Sequence, residues 1–248
     1  MRVLLVTSQV TYIPGNYIEL FEEVIQRCRK HICGLLILKN LDMGLLKTTA
    51  GLFYLGAKGV GKSLVKNIAT LPQKSRENLF AENGLPVYTS DNINSEATIE
   101  MLKELDLDLI INLRTRSIYK LPVLSVPKIG CINIHHGILP NFRGTLCDLY
   151  ALSEGRPAGF SIHQMNEKID DGVILKTHEV DDGREKNYMK YLAKTSRVEG
   201  QVLSEVIEQI ATLGKLPDGI KNTPTNKVYT RNPNRQKIKT FLQQEMVL

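Results

Sequence analysis

The stretch Gly130–Phe142 reads Gly-Cys-Ile-Asn-Ile-His-His-Gly-Ile-Leu-Pro-Asn-Phe and is followed at once by Arg143-Gly144. An apolar run suited to a buried strand ends there in polar residues. Alternate side chains of a strand share a face, so Asn133 and His135 point one way and Ile132 and Ile134 the other. A neutral amide can hold a developing oxyanion without bringing charge, and an imidazole can accept and return a proton near neutral pH. Downstream, the turn Ile169-Asp170-Asp171-Gly172 offers a carboxylate that can orient the imidazole or hold a water, with Asp170 and Asp171 competing for that one role. An amide, an imidazole and a carboxylate together suit acyl transfer through a tetrahedral intermediate. No Ser or Cys lies in a nucleophile-elbow setting, so direct transfer to an amine fits better than a covalent acyl-enzyme. His136 faces away from His135 and reads as a structural or supporting group. His163, in Phe160-Ser161-Ile162-His163-Gln164, could reach the site, with a structural role the preferred reading.

These residues need a scaffold that brings strand ends together. Apolar runs alternate with helical patterns, as parallel βαβ units do. Strands are expected at Arg2–Thr7, Ile32–Leu38, Pro86–Thr89, Leu107–Asn112, Gly130–His135, Ala158–Met165 and Val173–Val180. Helices are expected near Tyr17–Arg29, Ser95–Leu105 and Thr145–Glu154. A long helix begins after Gly183, with an apolar stripe at Val198, Val202, Val206, Ile210 and Leu213 that Gly214 stops. In open α/β sheets, ligands bind at the carboxyl ends of the strands, where Asn133 and His135 fall. Residues 1–214 then form the catalytic unit, with an insertion at about 41–82. Residues 215–248 form a basic extension after Pro217-Asp218-Gly219, with a strand-like Val228-Tyr229 and a helical Asn234–Gln244.

Composition narrows the class. The 248 residues are 42% hydrophobic and 23% charged, which suits a globular chain with a sizeable core. Cys28, Cys33, Cys131 and Cys147 show no metal-ligand spacing and read as free thiols of a reducing cytosol, so no metal is expected. No apolar run reaches the ~20 residues of a membrane span, and the first residues read as a strand rather than a signal peptide. A cytoplasmic location and no membrane partner are the resulting expectations. The net charge is +6, and from Lys221 onward six cations (Lys221, Lys227, Arg231, Arg235, Lys237, Lys239) face Glu245 alone. Such an end can meet a nucleotide diphosphate, nucleic acid or only solvent. It can fold back or reach a second subunit, so a homodimer is a possible assembly.

A competing motif lies in the insertion. Gly56-Ala57-Lys58-Gly59-Val60-Gly61-Lys62-Ser63 fits G-x-x-x-x-G-K-[ST], in which Lys62 and Ser63 would serve a nucleotide phosphate and Mg²⁺. It follows the apolar Leu52-Phe53-Tyr54-Leu55. No later strand ends in an Asp placed for Mg²⁺, so this P-loop nucleotide-binding reading stands as the alternative of another class. Otherwise the segment is a Gly-rich basic connection.

Asn133-Ile134-His135, Leu139-Pro140, Phe142-Arg143-Gly144 and Ile169-Asp170-Asp171-Gly172 closely resemble the folate-dependent formyltransferase family. The likeness runs over roughly Met1 to Ala211. It implies a Rossmann-like fold, a mostly parallel twisted sheet flanked by helices. It also implies transfer of a formyl group from N10-formyltetrahydrofolate, as co-substrate, to an amine. By resemblance Asn133, His135 and Asp170 carry catalysis. Arg114, Thr115, Arg116, Ser117 and Ile118 would line the folate pocket with Ile138, Leu139, Pro140 and Asn141. Arg143 and Gly144 would bind the acceptor. Many members carry Ser where this chain has Gly137, which removes one hydroxyl. Arg143 resembles the tRNA- and amino-sugar-acting branches. The stretch from Val228 to Pro233 resembles tails of sugar N-formyltransferases, and few residues follow Gly219 compared with the barrel domain of Met-tRNA enzymes. The implied acceptor is a nucleotide-linked amino sugar, with methionyl-tRNA the less favoured partner. A folate-binding hydrolase or inactive homologue is a third reading.

Overall fold

A computed structural model describes residues 1–115, 117–224 and 228–248. From the amino end run β1 (Val3–Ser8), α1 (Ile18–Cys28), β2 (Ile32–Leu38), α2 (Met43–Tyr54), α3 (Lys58–Ala69), α4 (Ser75–Glu82) and β3 (Val87–Ser90). Next come α5 (Glu96–Glu104), β4 (Leu109–Leu113), α6 (Leu121–Leu124), β5 (Gly130–His135), β6 (Phe142–Gly144) and α7 (Cys147–Ser153). The chain ends with β7 (Ala158–Gln164), β8 (Ile174–Asp181), α8 (Tyr188–Leu213), β9 (Val228–Thr230) and α9 (Arg235–Gln243). Seven strands form one sheet in the order β3-β2-β1-β4-β5-β7-β8. Neighbours from β3 through β5 are parallel, while β7 runs antiparallel to both β5 and β8. This is the mostly parallel, helix-flanked α/β fold that the alternation implied.

Burial on both faces explains why the central strands are continuous apolar runs. Val3, Leu5, Ile132 and Ile134 face a core shared with α1, α7 and α8. Leu4, Val6, Ile110 and Cys131 face the other way, onto Leu102 of α5, Val123 of α6 and Tyr119. The expected stripe of α8 buries Val202, Val206 and Ile210. Gly214, at φ 65°, closes that helix by giving its N–H to the carbonyl of Ile210.

Residues 41–82 are not a Gly-rich connection but three helices. The apolar run Leu52–Leu55 lies at the end of α2, and Lys58 to Ser63 lie inside α3. A P-loop needs a strand before it and free backbone N–H groups to cradle phosphate. Here the Gly61 N–H is spent on the Ala57 carbonyl, the Gly59 N–H on Leu248, and the Ser63 hydroxyl on the carbonyl of Tyr12. The motif match is therefore accidental. The insertion instead fixes the loop after β1. Buried Asn67 donates to the carbonyls of Thr11 and Ile13, and buried Arg76 to those of Ser8 and Gln9.

The carboxyl-terminal segment packs back onto the sheet domain. β9 pairs in parallel with β6, matching Phe142 with Val228 and Gly144 with Thr230. Ile238, Phe241, Met246 and Leu248 enter the same core as α1 and α8, and Phe241 meets the Tyr150 ring edge-on at 5.1 Å. Among the described residues no helix is long and apolar enough to cross a membrane. Phe241→Ala should therefore behave as a core truncation and cost about 3–5 kcal/mol. A denaturant titration would show it, and a cost under about 1 kcal/mol would mean that the segment is only loosely attached.

Candidate active site

Register places three polar side chains in one row. β4, β5 and β7 are neighbours, and Asn112 stands opposite Asn133, which stands opposite His163. Opposed residues share a face, so the row becomes a hydrogen-bonded chain. The hydroxyl of Thr115 donates to Asn112 Oδ1 at 2.7 Å, and Asn112 Nδ2 donates to Asn133 Oδ1 at 2.9 Å. Asn133 Nδ2 meets His163 Nε2 at 3.0 Å, and His163 Nδ1 meets the Gln164 carbonyl at 2.8 Å. A carbonyl only accepts, so Nδ1 carries the proton of His163 and Nε2 accepts from Asn133. Burial, reinforced by the nearby His135, pushes the His163 pKa down to about 4, so the ring is neutral at pH 7. The amide of Asn133 is thereby oriented, and among the described residues its second N–H has no hydrogen-bond partner. His163, read as structural from the sequence, is part of the site, and Asn112 was missed altogether. Both signals were in the sequence, as polar residues in apolar strands, but only the register brings them to Asn133.

His135 is buried beside this row. Its Nε2 meets the Phe142 carbonyl at 2.8 Å, so Nε2 is the protonated nitrogen. Its Nδ1 lies 3.4 Å from Asp170 Oδ1. Asp170, not Asp171, is the carboxylate beside this imidazole. Asp170 sits in the left-handed backbone region at φ 50°, a costly conformation for a residue with a side chain. Its surroundings hold it there. The Gly144 N–H donates to Asp170 Oδ2 at 3.0 Å, and Asn222 Nδ2 donates to the backbone carbonyls of Asp170 and Gly172.

Arg143 and Gly144, expected to bind the acceptor, are built into this framework. Arg143 is 2% exposed. Its guanidinium is spent on Asp171 and on Asn222, through both the backbone carbonyl and the side-chain oxygen. Gly144 has φ +104°, and a Cβ there would fall 2.1 Å from the Thr230 carbonyl oxygen. Glycine is required because β9 approaches so closely. Gly137 is set in a similar way. A Cβ at that position would lie 2.7 Å from both His135 Nε2 and Cys147 Cβ. The missing serine therefore reflects how this chain seats its imidazole.

The loops after β4 and β5 leave the sheet side by side, because those strands are parallel neighbours. Thr115 braces Asn112, Ser117 is half-buried and Ile118 is 58% exposed. Arg116 lies outside the described residues. Ile138 and Pro140 are half-buried, and Leu139 is buried with its N–H on the Ser161 hydroxyl. Among the described residues the side-chain oxygen of Asn141 is buried without a hydrogen-bond partner. An orphaned acceptor in one loop and an exposed apolar side chain in its neighbour fit an amino-substituted ring system. Arg114 is not brought to this row. At φ 58° its side chain turns to Tyr12 and to His136 Nε2, at 2.7 and 2.5 Å.

His136 anchors a second, buried polar cluster on the α8 side of the sheet. Its Nδ1 pairs with Asp148 at 3.1 Å, and its Nε2 faces Arg114, the Tyr17 hydroxyl and Glu199. Burial pushes the carboxyl of Glu199 well above the usual range. A protonated carboxyl suits a nitrogen that accepts. Above about pH 4.3 the unfolded chain has lost this proton while the folded chain keeps it, so the group's contribution to stability falls as pH rises. Glu199→Gln removes the titration. Its stability relative to wild type should improve between about pH 5 and pH 8, read from urea midpoints. A pH-independent difference would contradict the buried neutral carboxyl.

A sheet with paired loops at its carboxyl edge, carrying Asn133, His135 and Asp170, is the frame the motifs implied. The sequence profile of the formyl transferase family matches residues 55–207, more than half of the chain, and the protein belongs to that family. A methionyl-tRNA formyltransferase of Ehrlichia ruminantium (strain Welgevonden) is 36% identical over 148 residues, 59% of this chain and 49% of the relative. Another, of Bacillus licheniformis, is 31% identical over 172 residues, 69% of this chain and 53% of the relative. The chain thus spans about half the length of the curated relatives it matches. In fold it is similar to a sugar N-formyltransferase from Shewanella sp FDAARGOS_354, with TM-score 0.60 and 15% identity over 98% of this chain and 88% of that one. A phosphoribosylglycinamide formyltransferase from Anaplasma phagocytophilum gives TM-score 0.60 and 19% identity over 94% and 99%.

Proposed function

We propose that this protein transfers a formyl group from N10-formyltetrahydrofolate to a primary amine, and that the amine belongs to a nucleotide-linked amino sugar. The observation that carries the transfer reading is the convergence of Asn133, His135 and Asp170, joined by His135 Nδ1 lying 3.4 Å from Asp170. The co-substrate supplies an activated formyl carbon, which the amine takes up as the bond to N10 breaks and N10 gains the proton that the amine loses. The loops Arg114–Ile118 and Ile138–Asn141 would hold the folate ring system, with Asn141 Oδ1 as an acceptor for it. The free N–H of Asn133 stabilises negative charge as it develops on the formyl oxygen. His135 Nδ1, backed by Asp170, carries the proton in transit. In this reading residues 1–214 hold the chemistry, and 215–248 brace the loops around it. The amino-sugar acceptor is supported by the likeness of the Val228–Pro233 stretch to sugar N-formyltransferase tails. The 36% identity to a methionyl-tRNA formyltransferase favours methionyl-tRNA as the second reading.

The protein should formylate at least one member of a panel of amino-sugar nucleotides when given the formyl donor, read by mass spectrometry. Formylation of methionyl-tRNA alone would select the second reading. Formate release without any acceptor would make it a hydrolase. His135→Ala and Asp170→Ala should each lower turnover by at least about a hundredfold. Asn133→Ala should raise the barrier by about 3 kcal/mol. Near-normal turnover in a folded variant would remove that residue from the mechanism.

A further inference from the structure

Helix α2 is built inside out. Its sequence, Met-Gly-Leu-Leu-Lys-Thr-Thr-Ala-Gly-Leu-Phe-Tyr, is largely apolar, yet only Leu45 and Thr49 are buried. A surface helix normally turns its apolar stripe to the core. Here Met43 is 66% exposed, Leu46 44%, Phe53 37% and Tyr54 76%, with Leu41 at 43% just before the helix and Val65 of α3 at 48%. Between the two helices runs an open groove of about 400 Å³ lined by Leu46, Thr49, Ala50, Phe53, Val65, Ile68 and Ala69. It shares no residue with the Asn133–His135–Asp170 site. A contiguous apolar patch of this kind marks an interaction surface.

Charge says what the surface meets. Residues 43–76 contain Lys47, Lys58, Lys62, Lys66, Lys74 and Arg76 and no Asp or Glu. Arg76 is buried, and the five lysines are exposed. Among the described residues none of the five pairs with a carboxylate. Lys58, Lys62 and Lys66 repeat at four-residue spacing and so share one face of α3. The basic helix α9 adjoins the end of α2, with the Arg235 guanidinium 5.4 Å from the centre of the Tyr54 ring.

We infer that the α2–α3 face docks on an anionic lipid surface. Exposed Leu, Met, Phe and Tyr beside a lysine rim are what an interfacial helix needs to enter a headgroup layer of negative charge. A second copy of the chain would bring two lysine rims together with no acid in 43–76 to offset them. An acidic peptide in the groove would leave out Met43 and Tyr54, the most exposed apolar side chains of this face, which do not line it. RNA would use the lysines but has no use for a Met-Leu-Phe-Val face. The inference does not depend on the formyl-transfer reading. It does revise the expectation of no membrane partner, which rested on the lack of a span, because surface docking needs none.

The chain has no Trp, so Tyr54→Trp places one reporter on the face. Its emission should shift to the blue with phosphatidylcholine vesicles containing phosphatidylglycerol, and not with phosphatidylcholine alone. In cosedimentation, the wild-type chain should bind the anionic vesicles at least about tenfold better than the neutral ones, less so at high salt. Met43→Ser with Phe53→Ser, and separately Lys47→Glu with Lys62→Glu and Lys66→Glu, should each weaken binding at least about tenfold. Formyl transfer should be unchanged, since none of these residues touches the site. No binding to anionic vesicles would overturn the proposal. So would binding that both variants keep, a dimer by light scattering that the serine variant loses, or an RNA oligonucleotide bound in preference to vesicles.

Discussion

Asp170 faces His135 only because two other parts of the chain hold it in a backbone conformation it would not choose. A carboxylate at φ 50° on a tight turn carries a conformational cost of order 1–3 kcal/mol. The Gly144 N–H binds its side chain and the Asn222 amide binds its carbonyl. Gly144 in turn can sit where it does only because it lacks a Cβ against Thr230. Arg143 gathers Asp171 and Asn222 around one buried guanidinium. The carboxyl-terminal segment is thus a part of the frame around Asp170 and His135, reached through the side chain of Asn222.

The second half of the site is ordered by the sheet itself. Three adjacent strands present Asn112, Asn133 and His163 in one row, and the direction of every hydrogen bond in it follows from the Gln164 carbonyl at its end. Because burial keeps His163 neutral, the row delivers an oriented amide without adding a charge beside the His135–Asp170 pair. A charged His163 would instead present a donor to Asn133 Nδ2 and turn that amide around. Neutral positioning and a nearby proton carrier are the two things a direct acyl transfer asks of a protein.

Much of this was legible in the residues. Period-two patterning put Asn133 and His135 on one face, and β2 and β5 have the bounds that the apolar runs gave. The turn at Asp170 and the stop at Gly214 were visible from local chemistry. What local patterns could not supply was register across strands, which is set by the whole sheet. Asn112 and His163 stood out only as polar residues in apolar strands, with nothing to join them to Asn133, and Asn222 gave no signal of its own. The partners of Arg143 were hidden for the related reason that a motif position fixes an identity and not a contact. Its side chain is consumed by Asp171, a pairing invisible until the two loops meet. Helices α2 and α3 were hidden by glycines and by a chance P-loop match, and their outward apolar face contradicts the rule by which helices are read.

Asn222 holds the backbone of Asp170 so that its carboxylate faces His135. Rapid-quench single turnovers of Asn222→Ala, with the formyl donor and a competent amine, test it most directly. Loss of that amide should slow the chemical step by at least about tenfold while donor affinity stays at the wild-type value. A wild-type single-turnover rate in the folded variant would contradict the claim that the carboxyl-terminal segment sets the geometry of the proton carrier.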